Sequence, residues 1–242
     1  MFGDSFMNHR IMKQRTRIIL VALPLIAGVW LSGCNRQPTP LSPKSAGTET
    51  SARETEPVAP KGQLPDWSLG ESDSNSLGVP YKMSQFEIRP PESFRFIKSI
   101  EEPITHAKTY YWVGPARADE TYPQFMVIIT ELSARDSKTP LANLLKDMLR
   151  GIEQRRQEWI ATPPEHGTIN GLPFVRSSWS GVATSAAREG LSGQTMHGVV
   201  YLTVHDNHAI QIMCQDVAPD HAAWIKQGDT AALSFRVEDA RP

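Results

Sequence analysis

An α+β fold is the expectation for most of this chain, and three observations lead to it. Short apolar segments of strand character come first, between residues 86 and 132. One long amphipathic helix follows, with Leu141, Leu144, Leu145, Met148, Leu149 and Ile152 at helical spacing. Two turn signals, Asn170-Gly171 and Asp206-Asn207, then punctuate apolar runs in the manner of hairpins. Strands and helices are segregated along the chain rather than alternating, which is the α+β pattern.

The chain opens on a different kind of segment. Arg10, Lys13, Arg15 and Arg17 precede an uncharged apolar run over residues 18–30, broken only by Pro24 and Gly28. That order is the layout of a secretory signal, and the run falls short of the roughly 20 residues a spanning helix needs. It closes on Leu31-Ser32-Gly33-Cys34, which resembles the lipobox of bacterial lipoproteins: an aliphatic residue, two small ones, then cysteine. The resemblance implies cleavage before Cys34, a diacylglyceryl group on its sulfur and an acyl chain such as palmitate on the new amino terminus. Each buried methylene contributes about 0.8 kcal/mol, so two or three chains hold a protein firmly. The bilayer is thereby the first expected partner, reached through acylated Cys34. Asn35 stands where many inner-membrane lipoproteins carry Asp; in a cell with two membranes this mildly favours the outer one.

Residues 34–79 are rich in Pro, Ser, Thr, Glu and Gly, as in Gln37-Pro38-Thr39-Pro40 and Glu56-Pro57-Val58-Ala59-Pro60. They show no helical or strand period, and too little apolar surface to offset the entropy of ordering. The expectation is a disordered, partly extended tether between a signal peptide, 1–33, and a domain at 80–238. Trp67 and Leu69 are the exceptions, apolar enough to dock on the domain.

Within the domain, Phe86-Glu87-Ile88 reads as a strand stopped by Pro90-Pro91. Phe94-Arg95-Phe96-Ile97 and Thr109-Tyr110-Tyr111-Trp112-Val113 read as two more, the latter ended by Gly114-Pro115. Residues 124–132 are apolar on both parities, which suits a central strand covered on both faces. Thr139 is the expected N-cap of the long helix and Pro140 its first residue. Lys146, Asp147, Arg150 and Glu153 line its polar face, and Arg155 and Arg156 suit its C-terminal dipole. A strand through Phe174, Ser178 and Trp179 follows the Asn170-Gly171 turn. Residues 198–204 and 208–215 flank the turn at Asp206-Asn207. Residues 222–233 read as a last helix weakened by Gly228, and Ser234-Phe235-Arg236-Val237 closes the domain.

This order resembles the PsbP-like family, of the PsbP, DcrB and LpqN type. The features that carry the resemblance are the opening Phe86-Glu87-Ile88-Arg89-Pro90-Pro91-Glu92-Ser93-Phe94, the leucine-rich helix 139–156 and the turn Ile169-Asn170-Gly171-Leu172. The hairpin 198–215 and the closing Ala232-Leu233-Ser234-Phe235 complete them. The resemblance implies an antiparallel sheet sandwiched between helices, and a binding or assembly factor rather than an enzyme. Its members share no common active site, so it implies no functional residues.

Charge excludes one class of function. The chain carries 25 basic and 26 acidic residues; removing the leader takes away Arg10, Lys13, Arg15, Arg17 and Asp4 and leaves 21 against 25. Nucleic-acid binding demands clustered Lys and Arg, so no nucleic-acid partner is expected. Of the two cysteines, acylation of Cys34 would leave Cys214 unpaired. Cys214 shares strand parity with Ile210 and Ile212 and is expected in the core rather than as a nucleophile. His205 and His208 flank the second hairpin tip and are weak metal candidates, short of the three or four ligands a zinc site uses. His197 and His221 would assist such a site only by accident of folding. The serines at 177, 178, 180 and 185 lack a Gly-x-Ser-x-Gly turn. Neither a phosphate loop nor a carboxylate pair stands out, so no catalytic residue and no cofactor is expected. Tyr110, Tyr111, Trp112 and Trp179 are the aromatic residues to watch, as core packing first and an exposed binding face second. The expected function is a membrane-anchored, non-enzymatic binding or assembly module with an envelope protein partner. A ligand- or metal-binding carrier is the alternative.

Overall fold

A computed structural model describes residues 64–70, 72–103, 105–184 and 191–238. The leader, the lipobox with Cys34, and the tether up to residue 63 lie outside the described residues. Strand β1 (Tyr81–Met83) pairs with β2 (Phe86–Ile88), and β3 (Arg95–Glu101) pairs with β4 (Lys108–Val113). After β5 (Gln124–Glu131) comes helix α1 (Leu141–Glu153), then β6 (Arg156–Ala161), β7 (Glu165–Ile169) and β8 (Leu172–Ala183). The long hairpin β9 (Thr195–His205) and β10 (His208–Val217) leads into α2 (His221–Leu233) and β11 (Arg236–Val237). Eight strands make one antiparallel sheet in the order β3-β4-β5-β10-β9-β8-β6, with β7 also on β8. A small second sheet runs β1-β2-β11. The α+β expectation holds.

Turn chemistry sets the hairpins. Asn170 and Gly171 have φ of 49° and 79°, and Asp206 and Asn207 have 46° and 60°. Two consecutive positive φ values are the mark of a type I′ turn, whose twist matches the strands it joins. Asn170 is held further by donating its side-chain amide to the Phe235 carbonyl at 2.7 Å.

The central strands bury both faces because their apolar residues run on both parities. Phe125 and Val127 of β5 enter one core with Trp112, Tyr201, Ile212 and Phe235. Met126 points the other way, into a second core with Leu145, Met148, Val200 and Met213. Helix α1 closes the second core with a stripe of Leu144, Leu145, Met148, Leu149 and Ile152. Helix α2 covers the first, together with the small sheet. One helix lies on each face, and one of those faces is shared with three short strands. The sandwich between helical layers is therefore corrected: each layer is a single helix.

Gly228 does not weaken α2 in the way its propensity implies. A Cβ there would overlap Cβ and Sγ of Cys214, so the glycine lets the helix lie against β10. Two end assignments of α1 also shift. Its N-cap is Pro140, whose carbonyl accepts the first helical bond from the Leu144 N–H at 3.1 Å, while Thr139 closes the preceding 3-10 turn. The helix ends at Glu153 and Arg156 opens β6, while its guanidinium donates to the Ile152 carbonyl in the last turn of α1 at 2.9 Å, as the dipole reading expects.

Packing begins before residue 80. Trp67 donates its backbone N–H to Thr168 at 2.8 Å, and Thr168 returns one to Pro65 at 2.9 Å. A Cβ on Gly167 would collide with the Trp67 ring, which lies flat over that glycine. Leu77 is buried in the first core, and Arg89 donates to the carbonyls of Gly78, Leu77 and Ser74 at 3.0, 3.1 and 3.2 Å. Packing against the domain thus reaches back to Pro65, and the docking of Trp67 and Leu69 agrees with the sequence reading. No helix among the described residues is long and apolar enough to cross a membrane.

Candidate functional site

Helix α1 packs mainly over β6, β8 and β9; on the same face Met126 and Met213 are buried beside it, and Ile128 and Thr130 of β5 with Ala209 and Gln211 of β10 are only partly covered. In the antiparallel register Ile128 stands beside Gln211 and Thr130 beside Ala209. Two of these four are small, so the sheet surface drops away next to Leu144 and Met148 of α1. The result is a cleft of about 430 Å³, within the size range of small-ligand sites. Its floor is Ile128, Thr130, Ala209 and Gln211, and its wall is Leu144 and Met148. Glu131, Asp136 and Asp147 stand at its rim, and among the described residues no Lys, Arg or His lines it. Asp147 is paired with Arg150 at 2.8 Å, and Asp136 accepts the Ser133 hydroxyl at 2.7 Å.

A second gathering of polar groups lies at the opposite end of β10. The Arg117 guanidinium makes a two-pronged pair with the Asp216 carboxylate, whose side chain is fully buried. The Arg117 pKa is raised chiefly by that hydrogen-bonded partner. Beside Asp216 on the neighbouring strand is His197. Its ring stacks face to face on His221, with centroids 3.6 Å apart and planes 8° apart. Burial first, and then the His221 charge, hold the His197 pKa below its ordinary value, while Asp216 pulls the other way. A metal sits in the plane of an imidazole ligand, and two parallel rings offer no shared point, so this pair is not a chelate. The sequence named both histidines without seeing that β9 and the start of α2 bring them together.

The third cluster sits under Trp67. Tyr201 donates its hydroxyl to Asp229 at 3.0 Å, and Arg176 donates to the Tyr201 oxygen at 3.3 Å and to Glu165 at 2.8 Å. The Arg176 guanidinium lies 4.9 Å from the Trp67 ring. Desolvation raises the Asp229 carboxyl and the Tyr201 hydroxyl.

The residues singled out from sequence fall as follows. Cys34 lies outside the described residues. His205 Nε2 is 3.3 Å from Asp206, and His208 Nδ1 donates to the Asp206 carbonyl at 2.9 Å. Both rings meet Phe86 edge-on. No set of three His, Cys, Asp or Glu side chains converges as a metal site among the described residues. Cys214 is in the core, its thiol raised by burial, which removes the thiolate that nucleophilic attack requires. Ser177 is buried and donates to the Thr162 carbonyl at 2.8 Å, a structural tie; residue 185 lies outside the described residues. Tyr110, Tyr111, Trp112 and Trp179 are all core residues, not an exposed face. Trp179 is clasped between Trp159, 5.5 Å away, and the Arg156 guanidinium, 4.4 Å away. Desolvation, with the Arg155 charge, lowers the Arg156 pKa to about 10.

No family model and no curated relative matches this chain. Among solved structures it is similar to cyanobacterial PsbP (CyanoP) of Synechocystis sp. PCC 6803, at 14% identity over 67% of this chain and 92% of that one, with a TM-score of 0.49. LpqN of Mycobacterium tuberculosis, described as involved in cell envelope biogenesis, is similar at 10% identity over 72% and 99%, with a TM-score of 0.48. The Ran-binding protein Mog1p of Saccharomyces cerevisiae is similar at 13% identity over 66% and 95%, with a TM-score of 0.43. Likenesses of this strength transfer no activity.

Proposed function

We propose that this chain is an exported, lipid-anchored, non-enzymatic binding module that holds an envelope protein partner in the cleft beside α1. The observation that carries the proposal is that cleft: a wall of Leu144 and Met148, a floor of Ile128 and Ala209 with the polar Thr130 and Gln211 between them, open beside a helix. Apolar concavities with a few polar groups are where proteins bind. Acylation of Cys34 and a tether of Pro-rich sequence place such a module at a membrane with reach to find its partner. The PsbP-like resemblance accords with binding or assembly rather than catalysis.

The test uses full-length protein crosslinked in its native membranes. The parent chain is expected to capture a partner that Ala209→Trp, filling the cleft from its floor, does not. Cys34→Ala is expected to leave the membrane fraction and lose the same partner. Equal capture by the parent chain and Ala209→Trp contradicts the cleft as the site. A second reading, a carrier of a small ligand, draws on the cleft volume of about 430 Å³. A defined extra mass on the purified protein, seen by native mass spectrometry, would favour it over the first.

A further inference from the structure

The rim of the cleft points to the chemistry of what fills it. We infer that its occupant is a partner peptide segment carrying apolar side chains next to a lysine or arginine. This inference rests on the cleft being the binding site. Three carboxylates stand at the opening, on β5 (Glu131), on the turn before α1 (Asp136) and on α1 itself (Asp147). Asp147 is offset by Arg150. Asp136 takes only a neutral hydroxyl, and Glu131 makes no ion pair among the described residues. His208, directly across the strand pair from Glu131, is turned to the Asp206 carbonyl. The rim is therefore negative, while among the described residues no Lys, Arg or His lines the interior.

The floor adds a second requirement. Ile128, Leu144, Met148 and Leu202 present apolar surface, and that surface is satisfied only by apolar groups. Between them lie the Thr130 hydroxyl and the Gln211 amide, which make no side-chain hydrogen bond among the described residues. Both are able to bond a peptide backbone. An apolar side chain in the floor, backbone bonds to Gln211 and Thr130, and a cation at Glu131 and Asp136 use every feature of the cleft. An acidic segment would meet like charge at the entrance, which costs affinity.

Full-length protein in phosphatidylcholine nanodiscs is titrated with fluorescein-labelled peptides, with empty discs subtracted. The probes are Leu-Lys-Leu-Leu-Lys-Leu and its twins with Gln or Glu replacing Lys. The water-exposed rim charges together contribute about 1 kcal/mol, so the Lys peptide is expected to bind roughly fivefold tighter than the Gln peptide. The Glu peptide is expected to bind weakest. Glu131→Gln with Asp136→Asn is expected to erase the preference and leave the Gln peptide unchanged. Equal binding of all three peptides, abolished by Ala209→Trp, overturns the charge inference and leaves the cleft reading standing. Binding by none of them overturns both. Nonyltrimethylammonium binding in that last case assigns the cleft to a small amphiphile. Self-association that Ala209→Trp removes assigns it to a second copy of this chain.

Discussion

Gly228 sits where the α2 backbone must pass over Cys214. Two effects of Gly228→Ala oppose each other. Helix propensity favours alanine by up to about 1 kcal/mol, whereas forcing a methyl into a filled core costs about 1–3 kcal/mol. The overlap is with the Cβ and Sγ of a core residue on a central strand, which has little room to yield. Gly228→Ala is expected to lower stability by about 1–2 kcal/mol in urea unfolding; a higher midpoint would show that the helix simply shifts. The His197–His221 stack makes a prediction about pH. The folded-state pKa of His197 is lowered from 6.5, chiefly by burial, so the unfolded chain takes up its proton first. The stabilising contribution is present above about pH 6.5 and is lost as pH falls toward the folded value, below which the loss levels off. The urea midpoint is expected to drop between about pH 7.5 and about pH 5.5, and less so in His197→Phe. Parallel drops in both proteins would assign the loss to other groups.

At the scale of elements, the N-terminal segment behaves as part of the fold. Trp67 covers Gly167, meets Tyr201 edge-on at 5.9 Å and receives the Arg176 guanidinium on its face. It is partly buried, so Trp67→Ala is expected to cost about 1–3 kcal/mol, below the value for a fully buried tryptophan. Proteolytic cutting before residue 77 is expected to quicken with it, and an unchanged cutting rate would show that the segment is held by Arg89 alone. Elements were legible in sequence where one physical signal dominated. The leucine stripe gave α1, the paired apolar parities gave β5, and Asn170-Gly171 and Asp206-Asn207 gave both hairpin turns. Strands β6 and β7 were not legible. Arg156-Gln157-Glu158 looks like the polar end of a helix, and His166-Gly167-Thr168 has no alternation of its own. Their positions are set by the long strand β8, whose two ends pair with both.

For the molecule as a whole, one continuous sheet separates two cores, and its faces differ in how completely they are covered. The face under α2 and the small sheet is closed also by Trp67 and Leu77. The face under α1 is closed over β6, β8 and β9 and at Met126 and Met213, and open over Ile128 and Thr130 of β5 and Ala209 and Gln211 of β10. That asymmetry was invisible in the sequence because it depends on which strands lie side by side: Thr130 and Ala209 are 79 positions apart and form a hollow only in the β5–β10 register. The same is true of His197 against His221. The measurement that tests the account most directly is photo-crosslinking in intact membranes from a reactive residue at Thr130, in the cleft floor, and from another at Glu153, on the solvent face of α1. The expected result is one defined adduct from Thr130, absent from Glu153 and lost in Cys34→Ala. Equal adducts from both positions, or an adduct from Thr130 that persists after Cys34→Ala releases the protein from the membrane, would contradict it.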